Sequence, residues 1–190
     1  MKTYFLPAIK ITLLTMVLFG VMYPLFIAGV AKLVAPGNGK GETIERNGET
    51  LGFEVIGQSF TEGKYFNSRP SAVNYNAAAT GGSNKGPNNP DYLKTVDERI
   101  TDFLHKNPGI RKEDIPVDLI TASGGGLDPH ISVQAAAIQI KRIARARRMK
   151  EDVIDALVKE YTERPFAGIL GPSRINVLKI NLALDGVTQP

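Results

Sequence analysis

The sequence predicts an α+β protein in which a single N-terminal transmembrane helix is followed by one mixed α/β domain. Three observations carry this expectation. Ile11 to Ala31 runs for 21 residues without a charge. Beyond it, short β-branched stretches alternate with longer segments of helical periodicity. One of those segments, Asn89 to Gly109, has a full set of helix start and stop signals.

The span comes first. "ITLLTMVLFGVMYPLFIAGVA" covers roughly 31 Å as a helix, against a bilayer core of about 30 Å. Ile11, Leu14, Leu18, Ile27 and Ala31 lie along it, bracketed by Lys10 and Lys32, whose amines can reach the headgroups. Pro24 removes one backbone donor, so a kink or a packed neighbouring helix is expected there. Two other readings compete. A core helix of this length is hard to enclose in so small a domain. A cleaved signal would use the small residues Ala28–Ala31, but the apolar run exceeds the roughly 7–15 residues of a signal core. The expected division is therefore residues 1–35 for tail and span, and 36–190 for the domain. The short basic N-terminus favours tail inside and domain outside the cytoplasm.

In the domain, "FEVIG" (Phe53–Gly57) reads as a strand bounded by glycines. "NPDYLKTVDERITDFLHKNPG" reads as a helix, with Asn89 as cap, Pro90 first and Asp91 in the opening turn. Leu93, Val96, Ile100 and Phe103 form its apolar stripe, and Pro108-Gly109 ends it. "PVDLITAS" (Pro116–Ser123) alternates as a strand does. A helical region starts at Ser132 with Ala136, Ile140, Ile143 and Arg147 on one side, and breaks near Met149. A further helix follows, with Val153, Leu157 and Tyr161 inward. "RINVLKINLALD" alternates twice with a phase slip and reads as a bulged strand.

Composition excludes several functions. The first 35 residues hold three lysines and no acid, so of the net +4 only +1 falls on the domain, which is no nucleic-acid footprint. The chain has no cysteine and two histidines, which argues against a side-chain zinc site. "GGSNKG" lacks the spacing of a phosphate loop, and no Asp-Lys-Thr-Gly or Thr-Val-Gly-Tyr-Gly stretch occurs. The chain thus lacks its own parts for ATP hydrolysis or ion conduction.

Two polar segments stand out. "SRPSAVNYNAAATGGSNKGPNNP" (Ser68–Pro90) is rich in Asn, Gly and Ser, yet holds Tyr75 as a packing anchor and an Arg-Pro pair, unlike a slack linker. It reads as an ordered loop facing a partner. "TASGGGLDPHIS" (Thr121–Ser132) places Ser123, Asp128 and His130 close together. A catalytic triad draws its members from separate elements, so a shaped connection into a helix capped by Ser132 is the better reading. The basic run "KRIARARRMK" puts Lys141, Arg145 and Arg148 on one stripe with Arg142 beside it. That is a solvated face, or else a contact for anionic lipid or an acidic partner.

"MYPLF", "VIGQSFTEGKYFNSRPSAVNYNAAATGGSNKGPNNP", "PVDLITASGGGLDPHIS", "QAAAIQIKRIARAR" and "INVLKINLALD" occur in this order. Together they resemble the C chain of the Kdp-type potassium-transporting P-type ATPase, the KdpC family. The resemblance implies a single-pass protein of the cell (inner) membrane with an extracytoplasmic domain. It implies three companions: a pore-like potassium-binding subunit, the P-type ATPase subunit and a small single-span subunit. It further implies a non-catalytic role in stabilising the complex, and a "catalytic chaperone" effect on the ATPase subunit's ATP affinity. No tightly bound cofactor or metal is expected, ATP being met only through a ternary complex with that subunit. Carried onto this chain, the partner-facing loops fall on Arg69, Ser71, Tyr75, Asn76, Ser83 and Asn84, and on Ser123, Asp128, His130 and Ser132. Any nucleotide contact falls on Gln134 and Gln139. Gly125, Val133 and Lys141 stand where the family often has other residues. A domain outside the cytoplasm is parted from cytosolic ATP by about 30 Å of hydrocarbon. A different class of function, a membrane-anchored extracytoplasmic hydrolase or binding protein using Asp128 and His130, is the alternative.

Overall fold

The computed structural model describes residues 2–46 and 48–187. It is α+β, and its contacts divide it into two units that meet between Phe53 and Glu54. The hairpin that follows the apolar helix therefore groups with that helix, past the expected 35/36 boundary.

In the first unit, α1 (Lys2–Val17), a π-helical turn (Leu18–Met22) and α2 (Tyr23–Val34) form one continuous helix. Tyr4–Val34, whose most apolar 18-residue window has a mean hydropathy of 2.2 and is unburied, is the one helix among the described residues long and apolar enough to cross a membrane. The wide turn has a local cause. Pro24 has no N–H to return to Gly20, and its ring would strike that carbonyl. The helix answers by loosening just before it, the Tyr23 amide reaching five residues back to Leu18. The Thr15 hydroxyl donates to the Ile11 carbonyl at 2.9 Å, so this polar side chain is satisfied within the helix. After Val34, the antiparallel strands β1 (Thr43–Arg46) and β2 (Glu49–Phe53) pair with a bulge between Ile44 and Glu45.

The second unit places a small antiparallel sheet among helices. Its strands β3 (His130–Ser132), β4 (Thr162–Glu163) and β5 (Arg174–Asn176) lie in the order β3-β5-β4. Helix α3 (Pro90–Lys106) starts as expected, the Asn89 side chain accepting from the Tyr92 amide at 3.0 Å. Its buried face is Ile100 and Phe103, with Val96 and Leu104 packed beside them; Leu93, expected in the stripe, is exposed. Ser132 caps α4 (Val133–Ala137) through the Ala135 amide. Helix α5 (Ile140–Arg147) ends on Arg148 in the left-handed region, and α6 (Glu151–Glu160) follows. The inward side of α6 is Ile154 and Val158, with Leu157 and Tyr161 at its margin. Val153 points outward, one position off the expected face.

Three expected strands are corrected. "FEVIG" contributes only Phe53 to a strand, because the Gly57 amide turns away to the Leu127 carbonyl at 2.7 Å. "PVDLITAS" forms a 3-10 turn at Val117–Leu119, closed by the Thr121 hydroxyl on the Val117 carbonyl at 2.7 Å. In "RINVLKINLALD" the phase slip is a strand-to-helix junction: β5 ends at Asn176, whose side chain caps α7 (Val177–Gly186) through the Lys179 amide. Val177, Ile180 and Leu184 then bury one helical face.

Glu54 to Asn89 contains no helix or strand, so its backbone groups need other partners. Buried side chains supply them. The Asn181 amide group brackets Phe66, accepting from its N–H at 2.8 Å and donating to its carbonyl at 3.0 Å. The Gln139 side-chain oxygen accepts from the Asn67 amide at 2.8 Å. Arg142, expected beside a solvated stripe, turns inward instead. Its guanidinium donates to Asn107, to the Gly63 and Tyr65 carbonyls, to Asn67 and to Gln139, at 2.6 to 3.0 Å. Desolvation lowers its pKa to about 10, leaving it charged at neutral pH with neutral acceptors on all sides. Lys141, Arg145 and Arg148 are exposed, as a solvated face requires.

Replacing Arg142 strands several half-buried acceptors at once. Arg142→Met is expected to cost about 3 kcal/mol of unfolding free energy, and Arg142→Lys an intermediate amount, measured by urea denaturation of the detergent-solubilised chain.

Candidate functional site

The two polar loops of the sequence come together into one structure. The Ser123 amide donates to the Pro70 carbonyl at 3.2 Å, and the Gly81 amide to the Gly125 carbonyl at 3.1 Å. Gly126 sits where the loops touch, with φ of +73°. A methyl group there would lie 2.7 Å from Val73 and 2.9 Å from the Gly81 carbonyl. Only glycine fits both the dihedral and the space.

Within the first loop, Ser71 and Tyr75 act as a clasp. The Ser71 hydroxyl accepts from the Val73 and Tyr75 amides at 3.2 and 2.9 Å, and the Tyr75 hydroxyl donates back to the Arg69 carbonyl at 2.5 Å. Asn74 and Tyr75 both take left-handed backbone, a tight reversal that this clasp holds in place. Burial raises the Tyr75 phenol's pKa above its ordinary value, which keeps it a neutral donor. Asn76 accepts from the Ala78 amide at 3.0 Å and extends the turn. Asn76 and Asn84 are exposed and Ser83 is half-buried, so the rim of this loop is polar and reaches water.

The second loop is fixed by two carboxylates. Asp128 accepts from Arg69 at 2.9 Å and from the His130 amide at 3.0 Å, tying one loop to the other. Burial pushes this carboxyl up, but the His130 ring and amide and the Arg69 guanidinium outweigh it and hold its pKa at about 2. Asp118 accepts from the Ser132 amide and hydroxyl at 2.7 and 3.2 Å, so the residue capping α4 is itself held. The His130 ring lies between two acids, 3.6 Å from Asp128 and 3.6 Å from Glu163.

Beside these groups opens a cleft of about 1000 Å³, edged by Arg69, Asp128, His130, Ser132, Gln134 and Arg174. Gln134 is exposed on this edge. Gln139 is fully buried, its amide spent on Asn67, Arg142 and the Ala135 carbonyl, so it offers no atom to the cleft. The Ser123, Asp128, His130 set also separates. Ser123 is buried against the first loop, and among the described residues no hydroxyl is hydrogen-bonded to the His130 ring. The pair that survives, Asp128 with His130, serves the loop junction. Ile11, Leu14, Leu18, Pro24, Ile27 and Ala31, the expected anchor, lie on the Tyr4–Val34 helix of the other unit, Ala31 half-buried and the rest exposed.

Sequence reasoning missed Arg142 and Asn181. A signal existed for Asn181: an amide within the apolar stripe Val177, Ile180, Leu184 implies a buried group with a backbone to bind. Arg142 had none, since its neighbours in sequence are equally basic.

Comparison with known proteins follows the same outline. The family described as K+-transporting ATPase, c chain (KdpC), matches residues 5–186. A potassium-transporting ATPase KdpC subunit of Flavobacterium johnsoniae is 52% identical over 177 residues, covering 93% of this chain and 94% of its own. One from Caldanaerobacter subterraneus is 46% identical, covering 93% and 91%. One from Methylococcus capsulatus is 45% identical over 190 residues, covering 98% and 100%.

Asp128 ties the loops only while ionised. Its folded pKa of about 2 lies below the ordinary 3.8, so its contribution is full above about pH 4 and is lost as pH falls through 2. Asp128→Asn is expected to lower stability by roughly 1–2 kcal/mol at neutral pH, after discounting for partial exposure. Acid titration followed by circular dichroism should show a shallower loss for the variant than for the natural chain between about pH 4 and 2.

Proposed function

Since the chain belongs to the KdpC family, the c chain of K+-transporting ATPases, we propose that it is a docking subunit of a potassium-uptake pump. On this reading Tyr4–Val34 spans the cell membrane and packs against companion spans, and the residues beyond it lie outside the cytoplasm. The joined loops and their cleft face the companion chains: the pore-like potassium-binding subunit, the P-type ATPase subunit and the small single-span subunit. The observation that carries the proposal is the junction of the two loops. They are held rigid by their own hydrogen bonds, and their rim of Asn76, Asn84 and Gln134 stays exposed. A surface ordered before binding loses little entropy on docking.

The chain works without chemistry of its own. Asp128 is engaged by Arg69 and His130 and is too acidic to act as a base near neutral pH, and the His130 ring holds no nucleophile among the described residues. Energy conversion and ion passage then fall to the companions. The catalytic-chaperone effect on ATP affinity fits this topology as a signal passed through contacts between chains. With about 30 Å of hydrocarbon between the domain and the cytosol, Gln134 makes its contacts with protein rather than with nucleotide.

One labelling experiment tests both topology and docking. The chain has no cysteine, and Lys85 is exposed within the first loop. Lys85→Cys should react with a membrane-impermeant thiol reagent on intact cells when the chain is expressed alone, and react much less when the other pump chains are co-expressed. A need for permeabilisation would refute the outside placement, and equal labelling in both cases would refute docking by this loop.

A further inference from the structure

Between β4 and β5 the chain makes a turn that the docking role does not use. Phe166, Ile169 and Leu170 are 78%, 81% and 60% exposed within five residues. Elsewhere beyond Glu54 the large exposed apolar residues, Val55, Leu93, Val117 and Val153, occur singly, which is ordinary for a protein surface. A cluster at the tip of a protruding turn is not.

Most of the backbone amides of this turn are closed within it; from Phe166 to Gly171, those of Ala167 and Gly171 have no partner among the described residues. The Phe166 amide donates to the Leu170 carbonyl at 2.9 Å, Gly168 to Pro165 at 2.9 Å, and Ile169 and Leu170 both to Phe166, at 3.2 and 3.0 Å. Left-handed backbone at Ala167 and Gly168 makes this possible, and the prolines at 165 and 172 carry no donor. A loop made to meet a protein can leave amides open for its partner. A loop that enters the boundary below the headgroups must close most of them, as four of these six are closed, because hydrocarbon will not bond to them. The charges point the same way. Arg164 to Arg174 contains two arginines and no acid. Arg164 is exposed, while Arg174 is answered by Glu163 at 2.9 Å.

We propose that the Phe166–Leu170 turn inserts into the interfacial layer of an anionic bilayer, giving the chain a second membrane contact besides its N-terminal span. The three apolar side chains enter the boundary between headgroups and acyl chains, and Arg164 stays at the level of the phosphates. The inference rests on the reading of Tyr4–Val34 as a span, since a tethered domain meets the bilayer at high effective concentration and needs little intrinsic affinity to stay there.

The test uses the full-length chain, reconstituted in phosphatidylethanolamine–phosphatidylglycerol vesicles with Ile169→Cys carrying an NBD fluorophore as its only label. The expected result is a blue shift, loss of quenching by aqueous iodide, and gain of quenching by spin-labelled lipid. The same fluorophore at Lys94→Cys, on the exposed side of α3, should keep full iodide access. In phosphatidylcholine vesicles, or with Arg164→Glu, the shift at position 169 should shrink. Circular dichroism checks that each labelled chain is folded. An Ile169 label that stays open to iodide in the anionic vesicles overturns the proposal. So does a label shielded only after the other pump chains are added, which would assign the turn to a protein. Flotation of the chain with the vesicles reads the span separately, so loss of insertion and loss of anchoring are told apart.

Discussion

A long stretch of chain without helix or strand, Glu54 to Asn89, has to find partners for its backbone, and the rest of the second unit is arranged around that need. Each polar backbone group left dry and unpaired costs about 1–3 kcal/mol, more than most single contacts return. Here the partners are side chains from helices far along the sequence. Asn181 of α7 pairs with both backbone groups of Phe66, much as a neighbouring strand would. Gln139, at the break between α4 and α5, takes the next amide, and Arg142 gathers the two carbonyls that precede it. With its backbone satisfied, Phe66 can bury its ring completely in the core, a contribution of roughly 1.5–3 kcal/mol.

The same anchoring explains how a segment so rich in Asn, Gly and Ser can be ordered without a core of its own. Its root is pinned at Phe66 and Asn67, and Ser68 adds a hydrogen bond to the Gln58 carbonyl at 2.6 Å. Its body is then clasped by Ser71 and Tyr75 and leaned against the second loop through Gly81, Gly126 and the Arg69–Asp128 pair. Polar side chains are thus used in two ways. Near the core they satisfy backbone and are buried. At the rim, Asn76, Asn84 and Gln134 stay in water, where a companion chain can reach them. A surface ordered before binding loses little entropy when a companion docks on it.

Features written in neighbouring residues were legible from the sequence. The long apolar helix needed only length and the absence of charge. Helix α3 declared itself through Asn89, Pro90 and Asp91 at one end and Pro108-Gly109 at the other. The order of the loop from Ser68 to Pro90 followed from Tyr75 and the Arg-Pro pair. What misled was short-range alternation. Val117, Leu119 and Thr121 satisfy a period of two, yet Asp118 is needed at Ser132 and draws the chain into a 3-10 turn. The residues from 174 onward fit a strand and a helix equally until Asn176 is recognised as a cap. The inward turn of Arg142 depends on Asn107, Asn67, Gly63 and Tyr65, none of them near it in sequence, so no local pattern could have shown it.

If buried side chains hold this segment as a ladder would, its amides must exchange slowly although it contains no secondary structure. Hydrogen exchange on the full-length chain in detergent, read at Phe66 and Asn67, measures this directly. The account predicts protection comparable to that of Ile143, an amide in the buried face of α5. Exchange at the rate of an open loop, with Ile143 still protected, would contradict it.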